Sequence, residues 1–226
     1  MALSEVMQAL EAAGKPGTVA IYRRHGVQGE TFGVSVAALK TLTKLHRRDD
    51  ALAMQLWETG NHDARVLATQ IVEPRRFSPE VIEAWSAACD SYPINDAVCA
   101  LAAKSPEALT FARSWIEREA DFGAAAGWTV YSALVTKGKV EVDEARGLLE
   151  RIVAGIHQSG NRTRYSMNNT LIAIGGTLPE LQQAAIDAAE QIGPVVVDHG
   201  ETGCQTPEAI PYIERMVARR AAKAGK

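Results

Sequence analysis

The chain has 226 residues, enough to bury a sizeable core in one large domain or two small ones without help from disulfides. A net charge of −3 and an isoelectric point near 6.0 exclude a general attraction to nucleic acid, so any DNA binding must come from a local basic face. Cys89, Cys99 and Cys204 are odd in number, far apart and without CxxC spacing, which argues against a disulfide framework or structural zinc and fits free thiols in a reducing compartment.

From the N-terminus, MALSEVMQALEAAGK carries acidic and polar residues where a signal peptide needs an apolar centre. No apolar run approaches the roughly 20 residues of a membrane span, so a cytoplasmic protein is expected. Alanine is abundant, aromatics are 6%, and apolar residues recur at three and four positions, the helical pattern. It predicts helices near 2–13, 18–24, 35–47, 49–58, 62–72, 78–89, 95–103, 106–118, 121–136, 142–157, 161–174, 179–192 and 207–222, and an extended stretch only at Val195–Val197. Ser78-Pro79-Glu80, Ser105-Pro106-Glu107 and Thr206-Pro207-Glu208 each supply a hydroxyl N-cap, a first-turn proline and an acid at the positive end of the dipole. Thr59-Gly60-Asn61 and Val72-Glu73-Pro74 are short connections that fold consecutive helices back as antiparallel neighbours. With no linker or composition break, the pattern predicts one all-α domain over 1–226, an α-solenoid of stacked helix pairs, with a globular bundle as the alternative.

Three segments then carry a specific signal: Tyr22-Arg23-Arg24-His25-Gly26, Phe32-Gly33-Val34-Ser35 running to Leu39-Lys40, and Leu56-Trp57-Glu58-Thr59-Gly60-Asn61-His62-Asp63-Ala64-Arg65. Their order resembles the AlkD-like DNA alkylation repair family of HEAT-like repeat proteins, and the resemblance continues through Trp85 and Asp96 over most of the chain. It implies a right-handed superhelical solenoid whose concave face holds duplex DNA. It also implies, for some members, a glycosylase that removes cationic N3- and N7-alkylated purines without flipping the base, unlike the usual strategy.

The family's W-D-x-x-D element falls on Tyr92-Pro93-Ile94-Asn95-Asp96. The resemblance makes Asp96 the catalytic carboxylate, stabilising positive charge on the sugar or positioning water. The residue-level alternative is an acid capping a nearby helix start. Tyr92 replaces the lesion-facing tryptophan with a weaker cation–π surface. Gly123-Ala124-Ala125-Ala126-Gly127-Trp128 aligns with a segment that carries an arginine in the family, so the phosphate clamp is replaced by alanine. Trp128 is the remaining aromatic candidate there, and a core tryptophan the alternative.

Phosphate contacts fall to Lys40, Lys44, Arg47 and Arg48, to Arg65, Arg75 and Arg76, and to Arg162 and Arg164 at a helix start. The alternative is an ordinary solvated face. The C-terminal third adds Met167-Asn168-Asn169 and Asp198-His199-Gly200-Glu201-Thr202-Gly203-Cys204-Gln205-Thr206, similar to segments of a divergent branch of the same family. Asn168, Asn169, His199, Glu201 and Cys204 form a possible second polar site, against a loop that merely caps neighbouring helices.

The sequence thus predicts a DNA-binding AlkD-like repair protein with or without glycosylase activity. A non-catalytic HEAT-repeat scaffold binding DNA structures or a protein partner and an unrelated activity of the 198–204 loop are the alternatives. No cofactor or metal is expected, double-stranded DNA is the expected partner, and a monomer the expected state.

Overall fold

The computed structural model describes residues 2–224. Over them the chain forms thirteen α-helices, one 3₁₀ turn and no β-strand. Four of the helices begin where short polar side chains satisfy free backbone N–H groups. Ser35 accepts from Ala38, Asp49 from Leu52, Asn61 from Asp63 and Ala64, and Ser78 from Val81.

Two units separate by their internal contacts. The first runs to Glu107 and includes Gly200–Thr202. Its helices are α1 (Leu3–Ala13), α2 (Pro16–Arg24), α3 (Val36–Leu45), α4 (Asp50–Glu58), α5 (His62–Ile71), α6 (Pro79–Ala87) and α7 (Tyr92–Ala102). The turn at Gly60, φ 71°, returns α5 against α4. α5 also packs on α3 and α7, so α3, α5 and α7 form one row backed by α4 and α6. Leu52, Leu56, Leu67, Ile71, Ile82 and Ile94 are buried there, and Trp57 stacks on Trp85 with ring centres 4.3 Å apart.

The second unit comprises Ala108–His199 and Gly203 onward. It holds α8 (Ala108–Trp115), α9 (Asp121–Thr136), α10 (Val142–Gly155), α11 (Asn161–Thr177), the 3₁₀ turn Pro179–Leu181, α12 (Gln182–Ile192) and α13 (Ala209–Ala224). α9, α11 and α13 form a row against which α8, α10 and α12 pack. α9 and α11 are buried on most sides, and α9 approaches α8 closely because Gly127 has no side chain. A Cβ there would overlap the backbone nitrogen of Ile116.

Each predicted segment overlaps an observed helix, with informative differences at the ends. α7 begins at Tyr92, three residues before the expected start, because Pro93 fits the first helical turn. Beyond Ser105 the chain makes a turn, Glu107 N–H to Ser105 Oγ, and the helix waits until Ala108. The last helix starts at Ala209 rather than Pro207, since the Pro207 carbonyl is taken by Asn168 and the Thr206 hydroxyl by His199. Val195–Val197 belongs to no strand.

Candidate nucleic-acid interface

The segments that drew attention in the sequence are bonded to one another. Asp63, fully buried, accepts the Thr31 hydroxyl at 2.8 Å and the backbone N–H groups of Phe32, Gly33 and Val34 at 2.7, 3.1 and 2.9 Å. The Tyr22 hydroxyl donates to the Val34 carbonyl at 2.6 Å, and Arg23 donates to the carbonyls of Val27 and Gly29. His62 meets the Tyr22 ring edge-on at 4.9 Å. Burial, only partly offset by Asp63 and Asp90, holds the His62 imidazole below its usual range. Burial, then Asp63, raises the Tyr22 phenol. These residues shape the loop before α3 and therefore the placement of α3 itself.

Asp96 is exposed on α7 as its fifth residue, beyond the first turn, so N-capping does not explain it. Tyr92 is half-buried at the helix start. Between and beside them, Ser91 and Asn95, each 1% exposed, have no hydrogen-bond partner for the hydroxyl or either amide atom among the described residues. Such burial costs roughly 1–3 kcal/mol per group.

The basic residues divide by use. Lys40 and Lys44 are exposed on α3 one turn apart, and Arg47 is exposed in the turn that follows. Thr43 between the lysines bonds Gln70 of α5 at 2.7 Å, fixing the stripe to its neighbour. Arg75 and Arg76 are exposed after α5. Arg48, by contrast, has a positive φ of 66° and pairs with Glu73 at 3.0 Å. Arg65 lies over the Trp57 ring at 5.1 Å and donates to the Trp57 carbonyl, so it packs the core edge rather than standing ready for phosphate.

In the second unit, Trp128 is 2% exposed, a core residue with no face for a ligand. Ala124, Ala125 and Ala126 are buried beside it, positions too enclosed for an arginine clamp. The start of α11 is likewise occupied. Asp121 accepts the backbone N–H groups of Arg162 and Thr163 at 2.9 and 2.7 Å, filling the anion position of that helix terminus. Arg164 donates to the carbonyls of Ile156, His157, Ser159 and Val196, closing the end of α10. Arg162 stacks over the Tyr165 ring at 4.8 Å.

The 198–206 loop is tied down from several sides. Asn161 exchanges two hydrogen bonds with the Asp198 backbone, 2.7 and 2.8 Å, and Asn168 donates to the Pro207 carbonyl. His199 bonds the Thr206 hydroxyl and meets the Tyr165 ring edge-on at 5.5 Å. Cys204 is exposed, and Glu201, also exposed, belongs to the first unit. Among the described residues no group of three or more His, Cys, Asp or Glu is arranged to hold a metal, and no helix is long and apolar enough to cross a membrane.

Asn169 separates from Asn168. It lines an open cavity of about 400 Å³ with Ser132, Thr136, Tyr165, Gln205 and Tyr212, over an apolar floor that includes Ile172 and Met216. Sequence reading missed Ser132, Gln205 and Tyr212, which lie on three elements with no common spacing.

Comparison with known proteins agrees with this architecture. A family model described as DNA alkylation repair enzyme matches residues 6–213. An uncharacterized protein of Listeria innocua is 34% identical over 91% of this chain and 93% of its own length, and an uncharacterized protein of Listeria monocytogenes is 32% identical with the same coverage. A solved structure described as a new family of proteins related to the HEAT-like repeat DNA glycosylases, with affinity for branched DNA structures, superposes with a TM-score of 0.89. It is 29% identical, with 97% of this chain and 95% of that one covered. The all-α chain of HEAT-like helix pairs is a member of the DNA alkylation repair enzyme family.

Proposed function

We propose that this protein binds branched DNA through its phosphate backbone and does not depend on base excision for its role. The observation that carries this reading is the exposed cationic stripe of Lys40, Lys44 and Arg47 on α3, in a chain whose overall charge is −3. The two lysines are separated by about 6 Å of helical rise, and no ion pair among the described residues neutralises them. The branched-DNA affinity is carried over from the similar solved protein described above. The buried alanines at 124–126 and the tyrosine at 92 support separating binding from the excision chemistry that the family resemblance implies. Three cysteines outside any disulfide fit a reducing cytoplasm.

A second reading rests on Asp96, whose carboxylate is exposed on α7 four residues after Tyr92. It predicts release of 7-methylguanine from alkylated DNA, lost in Asp96→Asn. Fluorescence anisotropy with a four-way junction and a linear duplex of equal length, beside a base-release assay, separates the two. Lys40→Ala and Lys44→Ala should each weaken junction binding and reduce the log–log salt slope by roughly 1. Release of alkylated purine by the wild type would favour the second reading.

A further inference from the structure

Asn169 occupies an unusual position. Its helix, α11, buries Met167, Leu171, Ile172 and Ile174, and the preceding Asn168 amide is satisfied by the Pro207 carbonyl. The Asn169 amide has no partner among the described residues, and neither has that of Gln205, which lines the same cavity from the loop before α13. Two tyrosines, Tyr165 and Tyr212, also line it, together with the Ser132 and Thr136 side chains and the apolar Ile172, Ala173, Pro207 and Met216.

No lining residue carries a charge, so the cavity fits a neutral group with an unsaturated face and a hydrogen-bonding edge. Cations stand at its margins. Lys137 lines an adjoining recess that shares Ser132, Thr136 and Asn169, and Arg215 lies over the Tyr212 ring at 5.1 Å. A neutral polar pocket bordered by cations matches the division within a nucleotide between its base and its phosphate. Asparagine and glutamine amides pair with base edges through one donor and one acceptor, and tyrosine rings take base faces.

We propose that this cavity of the second unit receives one unpaired nucleobase. Tyr165 and Tyr212 contact its face, Asn169 and Gln205 its edge, and Lys137 and Arg215 the flanking phosphates. The proposal deepens the branched-DNA reading, because a branch point is where an unstacked nucleotide is available at low cost. A free nucleotide carries the same chemistry, so the test includes both sources.

A duplex with a single unpaired 2-aminopurine and its fully paired counterpart are titrated with the full chain, following 2-aminopurine fluorescence and anisotropy. Deoxyadenosine monophosphate is added separately, with the Asn169 side-chain amide followed by NMR. The unpaired probe is expected to bind about ten-fold more tightly than the paired one and to change its emission on stacking. Asn169→Leu and Gln205→Leu should each erase most of that preference while leaving paired-duplex binding intact. Gln205 lies on an exposed loop, so its variant reads the pocket even if Asn169→Leu fails to fold. Equal binding of both duplexes, with no Asn169 shift from the nucleotide, would overturn the pocket and leave the branched-DNA reading standing. A nucleotide-induced Asn169 shift with no binding to any DNA would keep the pocket, assign it to free nucleotide and overturn the DNA reading.

Discussion

Asp63 gathers one hydroxyl and three backbone donors from a segment some thirty residues earlier, and does so without any exposure to solvent. Removing the carboxylate strands those donors in a dry environment, so Asp63→Ala should lower unfolding free energy by about 3 kcal/mol or more in a urea titration. His62 beside it supplies a pH signature. Burial depresses its folded-state affinity for protons below the ordinary value of 6.5, so the unfolded chain binds a proton first as pH falls. Its contribution to stability is present above 6.5 and is lost progressively below it. Wild-type stability should therefore decline as pH falls below about 6.5, and His62→Leu should flatten that slope. Glu144, which Arg113 holds below its ordinary 4.5 through a bidentate pair at 2.8 Å, loses its contribution only at more acidic pH and does not blur this window.

At the scale of elements, α7 bears the clearest cost. The Ser91 hydroxyl and the Asn95 amide lie one turn apart, both buried and both without partners among the described residues, at the start of the helix that presents Tyr92 and Asp96. Asn95→Leu removes the buried amide at similar volume and should raise the denaturation midpoint, equivalent to about 1 kcal/mol. An unchanged or lower midpoint would show that the amide is satisfied in solution. Much of this level was legible in the sequence: Ser78-Pro79-Glu80 marks the start of α6, and the apolar spacing reproduces α9 residue for residue. What was not legible arises across elements. Nothing near Asp121 shows that its carboxylate closes the start of α11 forty residues away, which removes Arg162 and Arg164 from a phosphate site there. Nor could spacing show that Arg65 lies on Trp57, or that Ser132, Asn169, Gln205 and Tyr212 meet at one cavity.

For the whole molecule, an acidic balance and a local cationic stripe make opposite demands on DNA binding. At −3 the chain gains little from long-range attraction, so on the proposed reading affinity comes from phosphates within reach of the exposed Lys40, Lys44 and Arg47 and falls with salt. The family relationship supplies the DNA context, while exposed Asp96 and buried Trp128 show that the catalytic residues implied by resemblance meet different fates in the fold. The most direct test of the central claim is anisotropy with a four-way junction and an equal-length linear duplex over a series of salt concentrations. Tighter, salt-sensitive junction binding that weakens in Lys40→Ala and Lys44→Ala is the predicted result. Equal binding of both DNAs, or junction binding indifferent to salt and to both lysines, would contradict it.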